Sequence, residues 1–257
     1  MKAWLRDILP TNLQVPIKYW INGIRGQLEE ELELLPNLVQ PGDKVVDIGG
    51  NRGIYAYSLW RLGAHVEIFE PNPSCAAVLQ SWAKDKKNIQ VNTVALSDRA
   101  GSAYLHVPVD STGVVHDSSA SLEHNDFKNS RDELVTLRTL DSFQLENVSF
   151  IKIDVEGHEF NVLLGAENTL RLFRPALLVE IEQRHSHCPI NETFELLIKW
   201  GYQGYYFSSS ELTSLDCFRL ENDQNMTAAL GRTSRYINNF LFLHQKKIKE
   251  GKYDLLF

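Results

Sequence analysis

Short apolar runs alternate with helix-length segments through most of the chain. The runs Lys44–Ile48 and His65–Phe69 each end in a turn that leads into a predicted helix, and Asn88–Asn92 forms a third run. The same unit returns later, where Val148–Ile153 is followed by a helix-length segment and then by Pro175–Ile181. Strands that alternate with helices are typical of βαβ units, because parallel neighbours need a long crossover connection. The pattern therefore predicts an α/β fold built on a mostly parallel sheet.

The first 40 residues do not follow this alternation. Residues 1 to about 24 contain many aromatic side chains and two prolines, so we expect an irregular or short-helical segment there. Leucines then recur at spacings of 4, 3 and 3 over residues 26–39, which predicts an amphipathic helix that ends at Pro41-Gly42. Residues 1–40 are therefore interpreted as a lead-in to one domain over residues 41–257.

A second departure lies between about residues 97 and 147. The runs Ala103–Val107 and Leu134–Arg138 predict a pair of strands on either side of a polar loop. This stretch is interpreted as an insertion into the α/β plan. Nearer the C-terminus, residues 202–207 and 236–243 predict an antiparallel edge of the main sheet.

Composition and charge narrow the classes of protein to consider. The chain is 43% hydrophobic and 23% charged, and its formal net charge of −7 opposes broad binding to nucleic acid or anionic lipid. Its apolar runs are far shorter than the ~20 residues that span a bilayer, and Arg6 and Asp7 interrupt the stretch that a secretion signal would need. Cys75, Cys188 and Cys217 form no C-x-x-C pair. We therefore expect a cytoplasmic protein with no nucleic-acid partner.

The turn after the first predicted strand carries the sharpest motif, Asp47-Ile-Gly-Gly-Asn-Arg-Gly53. Glycines allow a tight turn and let a ligand lie against bare backbone at a helix N-terminus. A dinucleotide loop would need G-x-G-x-x-G, but Asn51 and Ile54 stand at its second and third glycine positions, which argues against NAD. Asp47 is placed to attract a cationic group, such as the amino and sulfonium groups of S-adenosylmethionine. The alternative is a plain turn in which Asp47 caps backbone amides.

An acidic residue also ends the second predicted strand. Glu70 follows Gly53 by 17 residues, at the position where an acid accepts ribose hydroxyls in doubly wound folds. Pro71-Asn72-Pro73 then fixes the chain beside it. The sequence therefore predicts a nucleoside site here, with a surface glutamate before a turn as the alternative.

A third group of charges lies in Ile151–Glu159. If the strand continues through Glu156, period 2 places Lys152, Asp154 and Glu156 on one face, where ligands of open α/β sheets bind. Lys152 has the alternative of pairing with a neighbouring carboxylate. Glu159 falls in a first helical turn, where the helix dipole favours a carboxylate for structural reasons.

Several stretches together resemble the FkbM-type methyltransferases, which use S-adenosylmethionine. They are Pro41–Gly53, Phe69–Asn72, Val94–Asp98, Thr139–Asp141, Ile151–Glu159 running on to Pro175, Val179–Ile181 and Asn239–Leu243. The resemblance implies a Rossmann-like class I methyltransferase fold, with a mostly parallel seven-stranded sheet, helices on both faces and an antiparallel edge strand. It also implies O-methylation of a hydroxyl group on a small molecule or glycan.

The resemblance carries cofactor and acceptor positions onto this chain. The cofactor positions are Asp47, Gly49, Gly50, Asn51, Gly53, Glu70, Pro71, Asn72 and Leu96. Gly50 stands where alanine is usual in the family. A serine-containing loop with Ser119 and Ser121 is expected near the acceptor. Apart from the resemblance, Glu182 and His185 cluster at the end of the fifth predicted strand, next to the fourth, where they are expected to contribute to the acceptor site; solvated loop residues are the alternative.

The proposed chemistry needs a proton acceptor. Full ionisation of an alcohol at neutral pH would cost roughly 12 kcal/mol, so a base or a metal should assist. Asp154 or Glu156 is the predicted base, and the sequence does not decide whether a metal takes part. Adenine methylation is disfavoured, because Asp154-Val-Glu-Gly157 replaces the Asn/Asp-Pro-Pro-Tyr type of segment expected there. Two alternatives stay open, a non-catalytic cofactor-binding module that regulates a partner and an NAD-dependent oxidoreductase.

Overall fold

A central sheet of eight strands and a second sheet of three strands organise the chain. The computed structural model describes residues 9–110, 112–113, 115–123, 129–208, 211–225 and 236–257. The strands are β1 (Lys44–Ile48), β2 (His65–Phe69), β3 (Ile89–Asn92), β4 (Ala95–Leu96), β5 (Gly101–Pro108), β6 (Ser130–Arg138), β7 (Val148–Ile153), β8 (Ala176–Glu180), β9 (Tyr202–Ser208), β10 (Glu211–Ser214) and β11 (Asn239–His244). The described α-helices are α1 (Gln14–Ile24), α2 (Leu35–Leu38), α3 (Ile54–Arg61), α4 (Pro73–Ala83), α5 (Glu159–Leu164), α6 (Glu167–Phe173), α7 (Ile190–Lys199), α8 (Leu220–Asp223) and α9 (Gln245–Lys249).

The central sheet has the order β10-β9-β11-β8-β7-β1-β2-β3. Strands β3, β2, β1, β7 and β8 are parallel, whereas β11 runs antiparallel to both β8 and β9. The expected mostly parallel sheet with an antiparallel edge is confirmed, and β10 adds an eighth strand at that edge. The strand order reverses between β1 and β7, and open α/β sheets bind ligands beyond the carboxyl ends of strands at such a point.

Both faces of the sheet are covered by helices. Val45 points to the side where α3 and α4 pack, with Leu59 in the same apolar cluster. Val46, the next residue, points to the other side and joins the cluster that contains Leu170 of α6. This alternation is the period 2 of a strand that is buried on both faces, which is why the predicted strands read as continuous apolar runs.

The insertion forms the three-stranded sheet β4-β6-β5. Strands β5 and β6 pair antiparallel along their length, as the two apolar runs predicted, and β4 pairs parallel with β6. This sheet has its own small apolar cluster, which includes Leu105, Val107 and Val135. The insertion is therefore a packed layer beside the carboxyl ends of the central strands.

The helical segments differ from expectation in three places. Residues 14–24 form a full helix where an irregular or short-helical segment was expected. The continuous helix over 26–39 is replaced by a 3-10 helix, Glu30–Leu34, and by α2, because Pro36 lacks the N–H that a passing helix would need. The helix-length segment after β7, from about residue 158 to 172, was expected to form one helix, but it breaks at Gly165 into α5 and α6. Gly165 lies against the backbone of Ser97, and a Cβ there would come 2.0 Å from the Ser97 carbonyl oxygen.

No helix within the described ranges combines the length and the apolar composition that a bilayer crossing requires.

Candidate active site

The turn between β1 and α3 brings the backbone close to two neighbouring strands. Gly49 has φ +80°, and a Cβ there would lie 1.7 Å from the carbonyl oxygen of Asp154. A Cβ on Gly50 would lie 2.5 Å from Cγ2 of Ile68, so the glycine that departs from the family pattern fits its surroundings here. Gly53, at φ +77°, starts α3. These contacts hold the turn tightly over the ends of β1 and β7, and the Gly49 and Gly50 amides both donate to the Phe69 carbonyl at the end of β2.

Glu70 joins this turn to the loop after β2. Its Oε2 accepts a hydrogen bond from the Asn51 N–H at 2.6 Å, and its Oε1 accepts one from the Asn72 N–H at 2.7 Å. Asn72 in turn caps α4 by accepting from the Ser74 N–H. Glu70 is only 5% exposed, which contradicts the alternative of a surface glutamate. Burial raises the pKa of its carboxyl group to about 7, although the two hydrogen bonds from backbone amides act in the opposite direction. Each carboxylate oxygen keeps a lone pair for a ligand.

A first cleft of about 580 Å³, here called the apolar cleft, opens beside Glu70. It is lined by Ile48, Gly49, Asn51, Phe69, Glu70, Pro71, Val94, Ala95, Leu96, Leu105, Asp117, Ala120, Leu122, Asp154, Val155 and Glu156. Apolar walls with a few convergent polar groups are typical of a small-molecule site. The insertion supplies part of one wall through Leu105, Ala120 and Leu122.

A second cleft of about 830 Å³, here called the polar cleft, lies on the other side of the glycine turn. It is lined by Lys18, Asn22, Gln27, Leu28, Glu29, Asp47, Gly49, Gly50, Asn51, Arg52, Ile54, Tyr55, Lys152, Asp154, Glu156 and Glu180. The two clefts share Gly49, Asn51, Asp154 and Glu156. Those four residues therefore mark the place where ligands in the two clefts would meet.

Asp47 is the most deeply buried acid of the polar cleft. It is 2% exposed, and burial raises its pKa to about 7, opposed by the Lys152 charge and by a hydrogen bond from the Ala56 N–H. That amide lies in the first turn of α3, so Asp47 does accept a hydrogen bond from a backbone amide, as the capping alternative expected. Among the described residues, however, no hydrogen-bond partner reaches its Oδ2. A buried carboxylate oxygen without a partner is costly, so the geometry favours a cationic ligand at this point.

The strand that precedes Asp154 and Glu156, here called the acid pair, is shorter than expected. β7 ends at Ile153 rather than continuing through Glu156, although the Asp154 N–H still donates to the Ile48 carbonyl at 3.0 Å. Glu156 has φ +53°, a left-handed conformation that is uncommon outside glycine. Lys152, Asp154 and Glu156 nevertheless all line the polar cleft. Left-handed backbone at a non-glycine residue costs free energy and is concentrated at functional sites.

The His185 imidazole lies beside the Glu156 carboxylate, outside the linings of the two clefts. The His185 Nε2 lies 3.3 Å from the Glu156 Oε2. Burial, together with the negative charge of Asp154, raises the pKa of Glu156 to about 8. Burial and the Arg184 charge lower the pKa of His185, so its imidazole is neutral at pH 7. A carboxylate with a pKa near the working pH has the property that a general base needs.

Lys152 forms the floor of the polar cleft. Its ammonium donates to Asn239 Oδ1 at 2.8 Å, lies 4.0 Å from Glu180 Oε2 and sits 4.9 Å from the Tyr55 ring centre. Burial lowers its pKa, but the carboxylates around it, Asp154 first, outweigh burial, so the pKa is raised. Lys152 is thus paired with a neighbouring carboxylate, Glu180, as its alternative expected. Its positive charge also acts on Asp154.

The remaining acceptor candidates contribute less directly. Glu182 accepts from Arg184 at 2.5 and 3.0 Å and from the Tyr236 hydroxyl at 2.7 Å, and it is 4% exposed. These bonds hold the segment after β8 in place. In the part of the chain that the structure describes, neither Glu182 nor His185 lines one of the two clefts.

Several polar contacts tie the insertion across the crevice, and two of them reach the glycine turn and Glu156. Asp117 forms an ion pair with Arg52 of the glycine turn, and the Ser121 hydroxyl donates to the Glu156 carbonyl at 2.6 Å. Ser119 ends the short 3-10 helix Asp117–Ser119, outside the cleft linings given above. The two predicted serines thus differ: Ser121 supports the acid pair, and Ser119 has no contact to it among the described residues.

The structure gathers most of the predicted cofactor positions around one crevice. Asp47, Gly49, Gly50, Asn51, Glu70, Pro71 and Leu96 line the clefts, whereas Gly53 and Asn72 support the turns beside them. Sequence reasoning missed Lys18, Glu29 and Tyr55, which no motif or period singles out. In the described ranges, no group of three histidine, cysteine or acidic side chains is arranged to hold a metal ion.

The fold and the crevice together define an open α/β protein with two clefts at the carboxyl ends of its parallel strands, where folds of this class bind their ligands. Residues 47–205 match the sequence profile described as the methyltransferase FkbM domain. The chain belongs to the FkbM methyltransferase family. A methyltransferase of this family is not a dehydrogenase, so the NAD-dependent alternative is not supported.

Two curated relatives and one solved structure are similar to the chain. The 2-O-methyltransferase NoeI of Sinorhizobium fredii is 27% identical over 65% of this chain and 76% of its own length. The hexuronic acid methyltransferase AglP of Haloferax volcanii is 29% identical over 59% of this chain and 61% of its own length. The crystal structure of methyltransferase FkbM from Methylobacillus flagellatus is 16% identical with a TM-score of 0.52, over 91% of this chain and 55% of that one. This structural likeness shows the shared fold.

Proposed function

We propose that this protein transfers the methyl group of S-adenosylmethionine to a hydroxyl group of a sugar-type acceptor. The observation that carries the proposal is the junction lined by Gly49, Asn51, Asp154 and Glu156, where the apolar and polar clefts meet. A cofactor with its nucleoside in the apolar cleft and its amino-acid part at Asp47 in the polar cleft would place its sulfur at this junction, where an acceptor in the rest of the polar cleft would meet it. The names of the two relatives, a 2-O-methyltransferase and a hexuronic acid methyltransferase, support a sugar hydroxyl as acceptor.

The residues present fit this cofactor. Glu70 would accept the ribose hydroxyls with its free lone pairs, and the walls at Pro71 and Leu96 would contact the base. The unpaired Asp47 Oδ2 would receive the ammonium of the amino-acid part, which would restore the ionised form of that carboxylate. When bound, S-adenosylmethionine supplies an electrophilic methyl group. Asp47, beside the glycine turn where a dinucleotide places its pyrophosphate, would repel that group.

Glu156 is the proton acceptor in this proposal. Its carboxylate lies at the junction, and its raised pKa lets it take a proton from the acceptor hydroxyl as the new bond forms. Asp154 stays beside the Lys152 ammonium, where it would offer a negative charge to the cofactor. The His185 Nε2 lies 3.3 Å from the Glu156 carboxylate without forming a hydrogen bond to it, so His185 has no step of its own in the proposed reaction.

Substitution of Glu156 tests the proposal. For Glu156→Gln we expect kcat to fall by about 10² to 10⁴, the usual contribution of a general base, with the affinity for S-adenosylhomocysteine within about twofold of wild type. Glu195→Gln, an exposed glutamate on α7, is the matched control and should change neither value. Tritiated methyl uptake would be measured against neutral sugars, uronic acids and nucleotide sugars. Tight cofactor binding without transfer to any alcohol would instead indicate a regulatory module.

A further inference from the structure

Two cationic side chains lie beside each other where the polar cleft meets the glycine turn. Lys18 comes from α1 and Arg52 from the turn itself, and both line the cleft. Arg52 is already paired with Asp117 of the insertion. Within the described ranges, no hydrogen bond or ion pair reaches the Lys18 ammonium. One of the two positive charges is therefore available to a ligand.

Helix α1 is packed so that it presents this lysine to the turn. Val15 is fully buried, and it lies 3.0 Å from the position that a Cβ on Gly53 would take. Lys18 and Asn22 follow Val15 at i+3 and i+7, on the same face of the helix, and both line the polar cleft. The Tyr19 ring packs against Tyr57 of α3 with 4.9 Å between centroids. The position of Lys18 is thus fixed by the core and not by a mobile surface contact.

The electrostatics of this corner call for an anion. Burial, and secondly repulsion from Arg52, lowers the pKa of Lys18 to about 8. The negative charges of Asp117 and Glu29 offset only part of these two effects, so an anionic ligand beside the two cations would be favourable. Asp47, which favours a cation, lines the same cleft. A positive and a negative subsite on one cleft, both beside a glycine turn, are complementary to the two charged groups of an α-amino acid.

We propose that Lys18, with Arg52 beside it, binds the α-carboxylate of the amino-acid part of the cofactor, opposite Asp47 at the ammonium. This inference rests on the proposed function, because it assigns a subsite for the same cofactor. Lys18 lies outside the matched family segment 47–205. The N-terminal segment, to which the sequence assigned no role, thereby becomes part of the cofactor site.

The test compares two ligands that differ only in the carboxylate. The affinities of wild type and Lys18→Met for S-adenosylmethionine and for decarboxylated S-adenosylmethionine would be measured by calorimetry. We expect Lys18→Met to weaken binding of S-adenosylmethionine by about 10-fold to 100-fold, the usual worth of a charge-assisted hydrogen bond. Binding of the decarboxylated compound should change by less than about twofold. Lys18→Arg should recover most of the affinity, because it restores the charge.

Controls separate this inference from the proposed function. Lys199→Met removes an exposed lysine at the end of α7 and should leave both affinities unchanged. Equal losses for the two compounds in Lys18→Met would assign Lys18 a structural role and overturn the inference. An unchanged cofactor affinity with a raised KM for the sugar acceptor would place Lys18 in the acceptor site and overturn it as well. If wild type binds neither compound, the proposed function itself fails, and the inference fails with it.

Discussion

Replacing Gly49 by alanine tests how closely β1 and β7 must approach to form the site. The new Cβ would lie 1.7 Å from the Asp154 carbonyl oxygen, far below the 3.0 Å that real Cβ atoms keep. The left-handed φ of +80° adds a cost of about 1–2 kcal/mol for a residue with a side chain. Forcing an atom into packed surroundings adds about 1–3 kcal/mol. We therefore expect Gly49→Ala to lower the free energy of unfolding by about 2–5 kcal/mol.

Gly42→Ala is the matched control for this substitution. Gly42 also has a positive φ, +86°, but a Cβ there meets nothing within 4 Å, so only the backbone cost of about 1–2 kcal/mol applies. Urea unfolding followed by tryptophan fluorescence would give both values, and calorimetry would give the affinity for S-adenosylhomocysteine. We expect at least a tenfold loss of affinity for Gly49→Ala only. Equal stability of the two variants, with wild-type cofactor affinity in both, would refute the geometry of the turn.

Two further predictions follow from the charges of the crevice. The folded-state pKa values of Asp47 and Glu70 are raised to about 7, so the stability that their protonation provides is complete below their unfolded pKa values and is lost as pH rises through about 7. The ligand-free protein should therefore melt at a lower temperature at pH 8 than at pH 5.5, with a smaller drop when S-adenosylmethionine is present; a melting temperature that rises over this range would contradict it. Asp117→Ala removes the contacts that tie the insertion to Arg52 and Asn72, so cofactor affinity should fall by about tenfold in calorimetric titration, and an unchanged affinity would show that the insertion does not close the apolar cleft.

Much of the fold could be predicted because the buried parallel strands consist of continuous apolar runs in the sequence. Val45 and Val46 face opposite sides of the sheet, and both are apolar because helices cover both sides. The turn at Gly49 could also be predicted, since a positive φ and a close strand contact leave few residues other than glycine. Local backbone requirements of this kind can be seen in a single sequence.

The parts of the candidate site that could not be predicted depend on contacts between segments that are distant in sequence. Glu156 turns into a left-handed conformation instead of extending β7, and its carbonyl is held by Ser121 of the insertion, 35 residues away in sequence. Lys18 reaches the site only because Val15 anchors α1 on the glycine turn. The bonds that Glu182 makes with Arg184 could not be distinguished from an acceptor contact by residue type alone. A cytoplasmic location and the absence of a nucleic-acid partner stay predictions from composition.

A crystal structure of the protein with S-adenosylhomocysteine tests the central claim most directly. We expect the ribose hydroxyls within hydrogen-bonding distance of Glu70, the amino group beside the Oδ2 of Asp47, and the sulfur at the junction next to Glu156. A crevice that stays empty at saturating ligand, or a nucleoside that lies away from both carboxylates, would contradict the proposed site.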